Sequence, residues 1–316
     1  MKRETWYSRG MWRFVTIRLA QAVPPLLGVL ALTFVLFNVV AESPAEVAWG
    51  KSASAQAKAE YNQVHGYDQP LYRQFVRYVG NVVWGDLGES IEYRVPVTSI
   101  LKEGVGVSLS LTLPILILGT VMALVIGLVC AAFRGGIFDR AALFAATALM
   151  SVNYVIWVVA GQYLLAYHWR LFPIWGYESW AYLALPVVIG IVSGLSQDVR
   201  FYRTIILDEV SRPYVRTAIA KGLHPVAVLF RHVLRNSLIP VITTVSLAIP
   251  FLFTGSVLLE GFFGIPGLGG IGLNAVHASD VTMVRAVVLI GAALYQAAAI
   301  AADILTAAAD PRVRLA

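Results

Sequence analysis

The sequence predicts an all-α integral membrane protein with six transmembrane helices. Its 316 residues are 58% hydrophobic and only 13% charged, with a mean hydropathy of +0.72. Soluble domains carry about 25% charged residues, so the low charged fraction of this chain indicates an integral membrane protein. Several apolar runs reach the roughly 20 residues that a helix needs to cross a bilayer. The polar segments between them differ in charge, which is the pattern that orients membrane proteins.

The first span follows a basic amino terminus. Arg9, Arg13 and Arg18 precede an apolar run over 19–40, and a positive excess of this kind marks cytoplasmic segments. Because the run exceeds the about 7–15 residues of a signal-peptide core, we expect a retained helix with its amino terminus inside. Pro24 and Pro25 predict a kink or the true start of this helix.

Residues 41–103 form the longest polar stretch, in which acids outnumber bases. Such a segment belongs outside, opposite the amino terminus. Within it, Asp68-Gln69-Pro70 opens a predicted helix with Leu71 and Phe75 on a face that suits a membrane surface. The expected organisation is 1–40, cytoplasmic terminus and first span; 41–103, extracytoplasmic segment with an interfacial helix; 104–309, a five-helix transmembrane core that includes a loop over 198–236; and 310–316, cytoplasmic tail.

The third span contains polar side chains at bilayer depth. The spans after the first are predicted over 107–133, 141–167, 181–197, 237–259 and 283–309. Asn153, Tyr154 and Gln162 lie in the third, where polar groups should face protein or water rather than lipid. Two interpretations stay open, namely hydrogen bonds between helices or the lining of a translocation path.

A polar loop over 198–236 separates the fourth and fifth spans. Seven basic and three acidic residues give it +4 of the chain's formal +6, which places it in the cytoplasm. Ser211 is placed to cap a helix over 212–221 with Pro213 in its first turn, about 15 Å long. Gly222 is placed to end this helix in a left-handed conformation, and His224-Pro225 opens a second helix. Composition alone is also compatible with an ordinary charged loop.

The residues of this loop carry a resemblance to a known family. Tyr214-Val-Arg-Thr-Ala-Ile-Ala-Lys-Gly222-Leu223, then Arg231-His-Val-Leu-Arg-Asn236 and Leu238-Ile-Pro240, resembles the EAA loop of ABC importer permeases, closest to the dipeptide, oligopeptide and nickel branch. The resemblance implies a MetI-like permease fold whose coupling helix sits in a groove of a cytoplasmic ATPase. The docking residues it implies are Tyr214, Arg216, Thr217, Ala218, Ala220, Lys221, Gly222 and Leu223. Relatives often carry a proline where this chain has Asn153-Tyr154, so a straighter third span is expected.

A glycine-rich stretch follows the fifth span. Gly267, Gly269 and Gly272 satisfy G-x-G-x-x-G, but a nucleotide site also needs a preceding strand and an acid about 20 residues later. A membrane span precedes it instead, so we reject that interpretation. The stretch resembles the E-x-x-F-x-x-P-G-L-G signature of the same permeases, an outer re-entrant turn. Glu260 matches the acid of that signature, either as a helix cap or partner of a base, or in contact with cargo on the pathway.

Other chemistry is not indicated. The sequence has no G-x-x-x-x-G-K-[ST], no H-E-x-x-H and no G-x-S-x-G, and its single cysteine, Cys130, allows no disulfide within the chain. The basic charge lies beside membrane spans, which argues against nucleic acid. We therefore expect neither an enzyme nor a resident metal or cofactor.

The resemblance implies the permease subunit of a peptide ABC importer in the bacterial inner membrane, with both termini cytoplasmic. Expected partners are a second, homologous permease subunit, two cytoplasmic ATPase subunits that bind the ATP, an extracytoplasmic binding protein and the lipid membrane. Nickel or another small solute is an alternative cargo. An ATPase-independent secondary transporter is the alternative from another class.

Overall fold

The computed structural model describes residues 2–40, 46, 54–65, 67–254 and 256–309, and its regular elements there are helices. This confirms the all-α fold class; the predicted tail at 310–316 lies outside the described residues. The helices are α1 Lys2–Val35, α2 Ala55–His65, α3 Leu71–Val83, α4 Val97–Ala132, α5 Ile137–Met150, α6 Tyr154–Gly161, α7 Trp180–Val210, α8 Pro213–Ala220, α9 Pro225–Val228, α10 Leu234–Thr254, α11 Val257–Phe263, α12 Leu268–His277 and α13 Val281–Ala309. Short π-helical turns extend α1 to Val40, extend α6 to His168 and join α9 to α10.

Five helices in the described ranges are long and apolar enough to cross a bilayer. They cover Val15–Asn38, Val97–Ala132, Trp180–Val210, Pro225–Leu252 and Val281–Ile304. Two bent pairs also qualify, α5 with α6 at 91° and α11 with α12 at 71°. Six spans result if α5–α6 crosses the membrane and α11–α12 turns back, so the count of six stays a prediction.

The third span is broken, and the expectation of a straighter helix here was wrong. The chain leaves α5 at Ser151 and restarts at Tyr154. Asn153 supplies the reason, because its backbone is extended and its side-chain Oδ1 accepts a hydrogen bond from Val155 N at 2.9 Å. An asparagine that is extended and caps a new helix in this way interrupts the helix before it.

Two other predicted boundaries were wrong for one shared reason. The fourth span, expected to end at Gln197, continues as α7 to Val210, and the fifth, expected to start at Ser237, is entered through a helix that starts at Pro225. Hydropathy marks only the part of a helix that is apolar, whereas backbone hydrogen bonding carries both helices into the polar loop. The two spans therefore reach the loop as rigid rods. Pro24 and Pro25 lie inside α1 and do not start it.

The helices pack around several apolar clusters. Helix α4 lies along α7, and α10 lies along α13, which also contacts α1. One cluster, with Leu111, Val158 and Phe263 at its centre, joins α4, α6 and α11. Another, with Leu128, Ile206 and Val215, joins α4 and α7 to the loop helix α8. The loop is thus seated on the two spans that form the main helix pair.

The polar segment between the first two spans, predicted to be extracytoplasmic, is tied to the first and last spans. Helix α3 packs on α1 through a hydrogen bond between the hydroxyls of Thr33 and Tyr78 at 2.9 Å and through the rings of Phe34 and Phe75. Several other apolar side chains of α3 are exposed, as expected for an interfacial helix. Their contact with lipid stays a prediction. Asp280, at the start of α13, accepts a hydrogen bond from the hydroxyl of Ser90.

Candidate functional site

The chain between α7 and α10, residues 211–233, is called the elbow below and begins with a short helix. Helix α8 has Pro213 in its first turn and ends before Gly222, whose φ of +84° is the predicted left-handed conformation. It is two residues shorter than expected, about 12 Å. The predicted cap was wrong, because Ser211 ends α7 and its hydroxyl donates to Asp208 O at 2.7 Å. Arg212 takes the N-cap position without a side-chain hydrogen bond.

The second arm of the elbow is the beginning of a span. His224 Nδ1 accepts a hydrogen bond from Val226 N at 3.3 Å, and Pro225 occupies the first helical position, as predicted. Helix α9 then runs through its π-helical turn directly into α10. A force on the elbow would therefore reach α10 without crossing a flexible linker.

One face of α8 rests on the membrane helices. Val215 is buried and Tyr214 and Ala218 are partly buried against the cluster around Leu128 and Ile206. The hydroxyl of Tyr214 donates to Glu209 Oε1 at 2.9 Å. Burial raises the pKa of Tyr214, so the phenol keeps its proton at neutral pH. Two of the predicted docking residues, Tyr214 and Ala218, thus lie on the seating face of the helix.

The opposite face of the elbow is open. Its exposed members include the other predicted docking residues, namely Arg216, Thr217, Ala220, Lys221, Gly222 and Leu223. Three exposed apolar side chains extend this face and were not predicted: Ile219, Val226 and Phe230, the last 56% exposed. Bases around an apolar centre form a surface that suits a protein partner. Ile219 is 47% exposed although it lies four residues after the buried Val215, so helical periodicity gave no signal that it would be open.

An ion pair fixes the spans that carry the elbow. Arg203 on α7 binds Asp139 on α5 with two hydrogen bonds, Nε to Oδ1 at 2.6 Å and Nη2 to Oδ2 at 2.8 Å. Asp139 Oδ2 also accepts from Gly135 N at 2.8 Å. A bidentate arginine–carboxylate pair holds both side chains in one geometry. The ion pair thereby attaches the α4–α5 turn to α7, at a point in the chain before α8 begins.

Glu260 has a structural place in the bent pair α11–α12, which is predicted to be an outer re-entrant turn. Its side chain is fully buried, and its carboxylate accepts from Ser108 Oγ at 2.8 Å, Ser256 N at 3.1 Å and Gly270 N at 2.9 Å. Gly270 lies in the first turn of α12, where a helix favours negative charge. Glu260 therefore caps α12 and ties it to α4, and its carboxylate has no surface for cargo in this conformation.

The other candidate pathway residues separate into two places. Asn153 and Tyr154 line a cavity of about 420 Å³ between the break in the third span and α7. Gln162 does not belong to it, because its Nε2 donates to Ile174 O at 2.9 Å and Phe262 O at 3.0 Å. Gln162 thus joins the end of the third span to the re-entrant pair, which is the interhelical role left open by the sequence.

Two family models match the chain. Residues 123–315 match the binding-protein-dependent transport system inner membrane component, and residues 11–112 match the amino-terminal part of the corresponding membrane components. The first match alone contains the elbow, the broken span and the re-entrant pair.

Characterised relatives align over nearly their whole length. A dipeptide transport system permease protein of Lactococcus lactis is 30% identical over 308 residues, covering 96% of this chain and 100% of the relative. A glutathione transport system permease protein of Salmonella paratyphi A is 32% identical over 305 residues, covering 96% and 99%. A dipeptide transport system permease protein of Escherichia coli is 28% identical over 336 residues, covering 96% and 99%.

Proposed function

The chain belongs to the family of binding-protein-dependent transport system inner membrane components, and from this premise we propose how its parts serve an importer. It is a multi-pass permease subunit of an ABC importer for peptide-like cargo, in keeping with relatives named for dipeptide and glutathione transport. The subunit itself is not an enzyme; ATP is bound and hydrolysed by separate subunits.

The proposed assembly contains this chain, a second homologous permease, two cytoplasmic ATPase subunits and an extracytoplasmic binding protein. One such chain supplies half of the pathway, and both of its termini lie in the cytoplasm of a bacterial cell. We keep nickel or another small solute as the alternative cargo. A secondary transporter that needs no ATPase is the alternative mechanism.

The observation that carries the coupling role is the shape of the elbow. Its inner face is seated on the α4–α7 pair and its outer face is exposed, while α9 leads without a break into α10. Movement of an ATPase bound to the outer face would rotate α8 as a rod and pull on α7 and α10 together. Arg216, Thr217, Ala220, Lys221 and Leu223 would contact the ATPase, whereas Tyr214 and Ala218 would hold the rod in place.

Gly222→Val tests this role, with Gly85→Val as its matched control. Both glycines have positive φ, +84° and +77°, and both have open space where a Cβ would stand. The substitutions thus introduce similar backbone strain, one in the elbow and one in the extracytoplasmic segment. In the complete importer we expect Gly222→Val to reduce cargo-stimulated ATP hydrolysis and uptake roughly tenfold or more, and Gly85→Val to retain most of both.

The outcomes separate the two mechanisms. Co-purification of the chain with P-loop ATPase subunits, followed by loss of coupling only in Gly222→Val, supports the proposed function. Equal activity of the two variants would remove the coupling role of the elbow. Uptake by the purified chain without any ATPase would favour the secondary transporter.

A further inference from the structure

The cavity at the break in the third span lies beside α7, a helix that is long and apolar enough to cross a membrane. By helix rise, Gln197 stands about 26 Å from Trp180 at the start of α7 and about 9 Å before Arg203. The cavity has a volume of about 420 Å³, which is that of a small-ligand pocket, for which roughly 300–1,000 Å³ is usual. The lining residues are Leu149, Met150, Val152, Asn153, Tyr154, Trp157, Ser193, Gly194, Ser196 and Gln197.

Two amide side chains on this lining have unused hydrogen-bonding groups. Asn153 accepts from Val155 N through Oδ1, and its Nδ2 has no partner among the residues that the structure describes. Gln197 likewise makes no side-chain hydrogen bond to that part of the chain. A primary amide offers two N–H donors and a carbonyl acceptor. Both residues are exposed, so these groups are accessible to a ligand that enters the cavity.

The lining mixes polar and apolar side chains and carries no charge. It contains no carboxylate, imidazole or thiolate, which are the side chains that most often bind transition-metal ions. One acid and one base stand beside it. Asp198 Oδ2 is 4.0 Å from where a Cβ on Gly194 would lie, and Arg200 Nη1 is 3.4 Å from Met150 Sδ.

We propose that this cavity binds the backbone of a short peptide on its way through the membrane, an inference that rests on the permease function above. A peptide group presents one N–H and one C=O, so the amide of Gln197 can accept from the first and donate to the second. The free Nδ2 of Asn153 adds a donor for a further carbonyl. Recognition through the backbone leaves the cargo's side chains unspecified.

Gln197→Met tests the site, with Gln296→Met as control. Gln296 is the same residue type in another span, α13, away from the cavity. Uptake of radiolabelled dialanine at subsaturating concentration would be measured in proteoliposomes with the complete importer and its binding protein. Loss of one or two hydrogen bonds should reduce the uptake rate of Gln197→Met roughly five- to tenfold, while Gln296→Met stays within about twofold of the unaltered chain.

A second measurement uses the unaltered chain and a photoreactive dipeptide that contains benzoylphenylalanine. We expect irradiation of the working importer to attach it within residues 149–157 or 193–197, with dialanine in excess preventing the attachment. Equal uptake by the two methionine variants, or attachment confined to other segments, would overturn the proposal that the cavity binds peptide. The importer function would still stand. If the unaltered importer takes up Ni²⁺ alone and no dialanine, the peptide function fails as well.

Discussion

Two glycine-containing turns of this chain serve opposite ends of the bundle and differ in how crowded they are. At the outer re-entrant pair, Gly264 ends α11 with φ +65°, and the indole of Trp175 fills the position of a Cβ. At the elbow, Gly222 has φ +84° and nothing lies within 4 Å of a Cβ. Both turns need a left-handed residue, but only one is enclosed by its own chain.

Hydrogen bonding shows the same contrast. In the outer turn, Glu260 satisfies donors from three segments, and a Cβ on Gly267 would stand 2.5 Å from its carboxylate. In the elbow, the bases at Arg216 and Lys221 are exposed. A turn whose hydrogen-bonding groups are already paired within the chain acts as a scaffold, whereas an open and charged turn is suited to contact with a partner protein. This difference is the one expected if a partner moves the elbow while the outer turn acts as scaffold.

The largest expected effect separates the two glycines directly. Gly264→Ala adds both backbone strain of about 1–2 kcal/mol and overpacking of about 1–3 kcal/mol against Trp175. Gly222→Ala adds only the backbone strain. We expect a large fall in the midpoint of thermal unfolding for Gly264→Ala and a small one for Gly222→Ala. Equal falls in the unfolding midpoint for the two variants would contradict the contrast between the two turns.

Removal of the carboxylate from the outer turn should be the next largest effect. Glu260→Ala leaves the donors of Ser108, Ser256 and Gly270 without their acceptor, at a cost of about 3 kcal/mol. Glu260→Gln retains one acceptor oxygen and should cost less. Both are measured as unfolding midpoints in detergent. Unchanged stability of Glu260→Ala together with lost uptake would instead indicate a cargo contact.

The ion pair between α5 and α7 should have an intermediate effect. Asp139 is buried and Arg203 mostly so; Asp139→Asn keeps an acceptor oxygen but loses the charge, and should destabilise the chain by about 2 kcal/mol. The matched control is Arg212→Gln, which removes an exposed pair with Glu209 at 3.7 Å and should cost less than about 0.5 kcal/mol. A double-mutant cycle that gives the two pairs equal coupling energies would contradict the assignment.

The smallest effect on stability is expected at the open surface. Phe230→Ala removes an exposed ring and should leave unfolding unchanged, yet weaken association with the ATPase subunits roughly tenfold if the ring is buried there. Phe144→Ala, at a ring that is 78% exposed on α5, is the control and should not affect association. Pull-down at graded ATPase concentration measures both. Loss of association in both variants would mean that the effect is not specific to the elbow.

The parts that the sequence could predict are those decided by local chemistry. Pro213, Gly222 and Pro225 determine the elbow through backbone preferences that act within a few residues. The break at Asn153 escaped prediction because an asparagine can cap a helix or continue one, and only the surrounding packing decides. Glu260 and Ser108 are 152 residues apart, and Asp139 and Arg203 are 64 apart, so these contacts depend on the folded arrangement of the spans.

The most direct test of the coupling surface is site-specific cross-linking. Lys221→Cys places an exposed thiol on the elbow, while the native Cys130 is buried. Trp84→Cys, at a position that is 90% exposed on the predicted outer side, is the control. We predict that in intact cells Lys221→Cys resists a membrane-impermeant maleimide, and that in the assembled importer it cross-links to an ATPase subunit, whereas Trp84→Cys does the reverse. Labelling of Lys221→Cys from outside, or its failure to cross-link in an importer that hydrolyses ATP normally, would contradict the account.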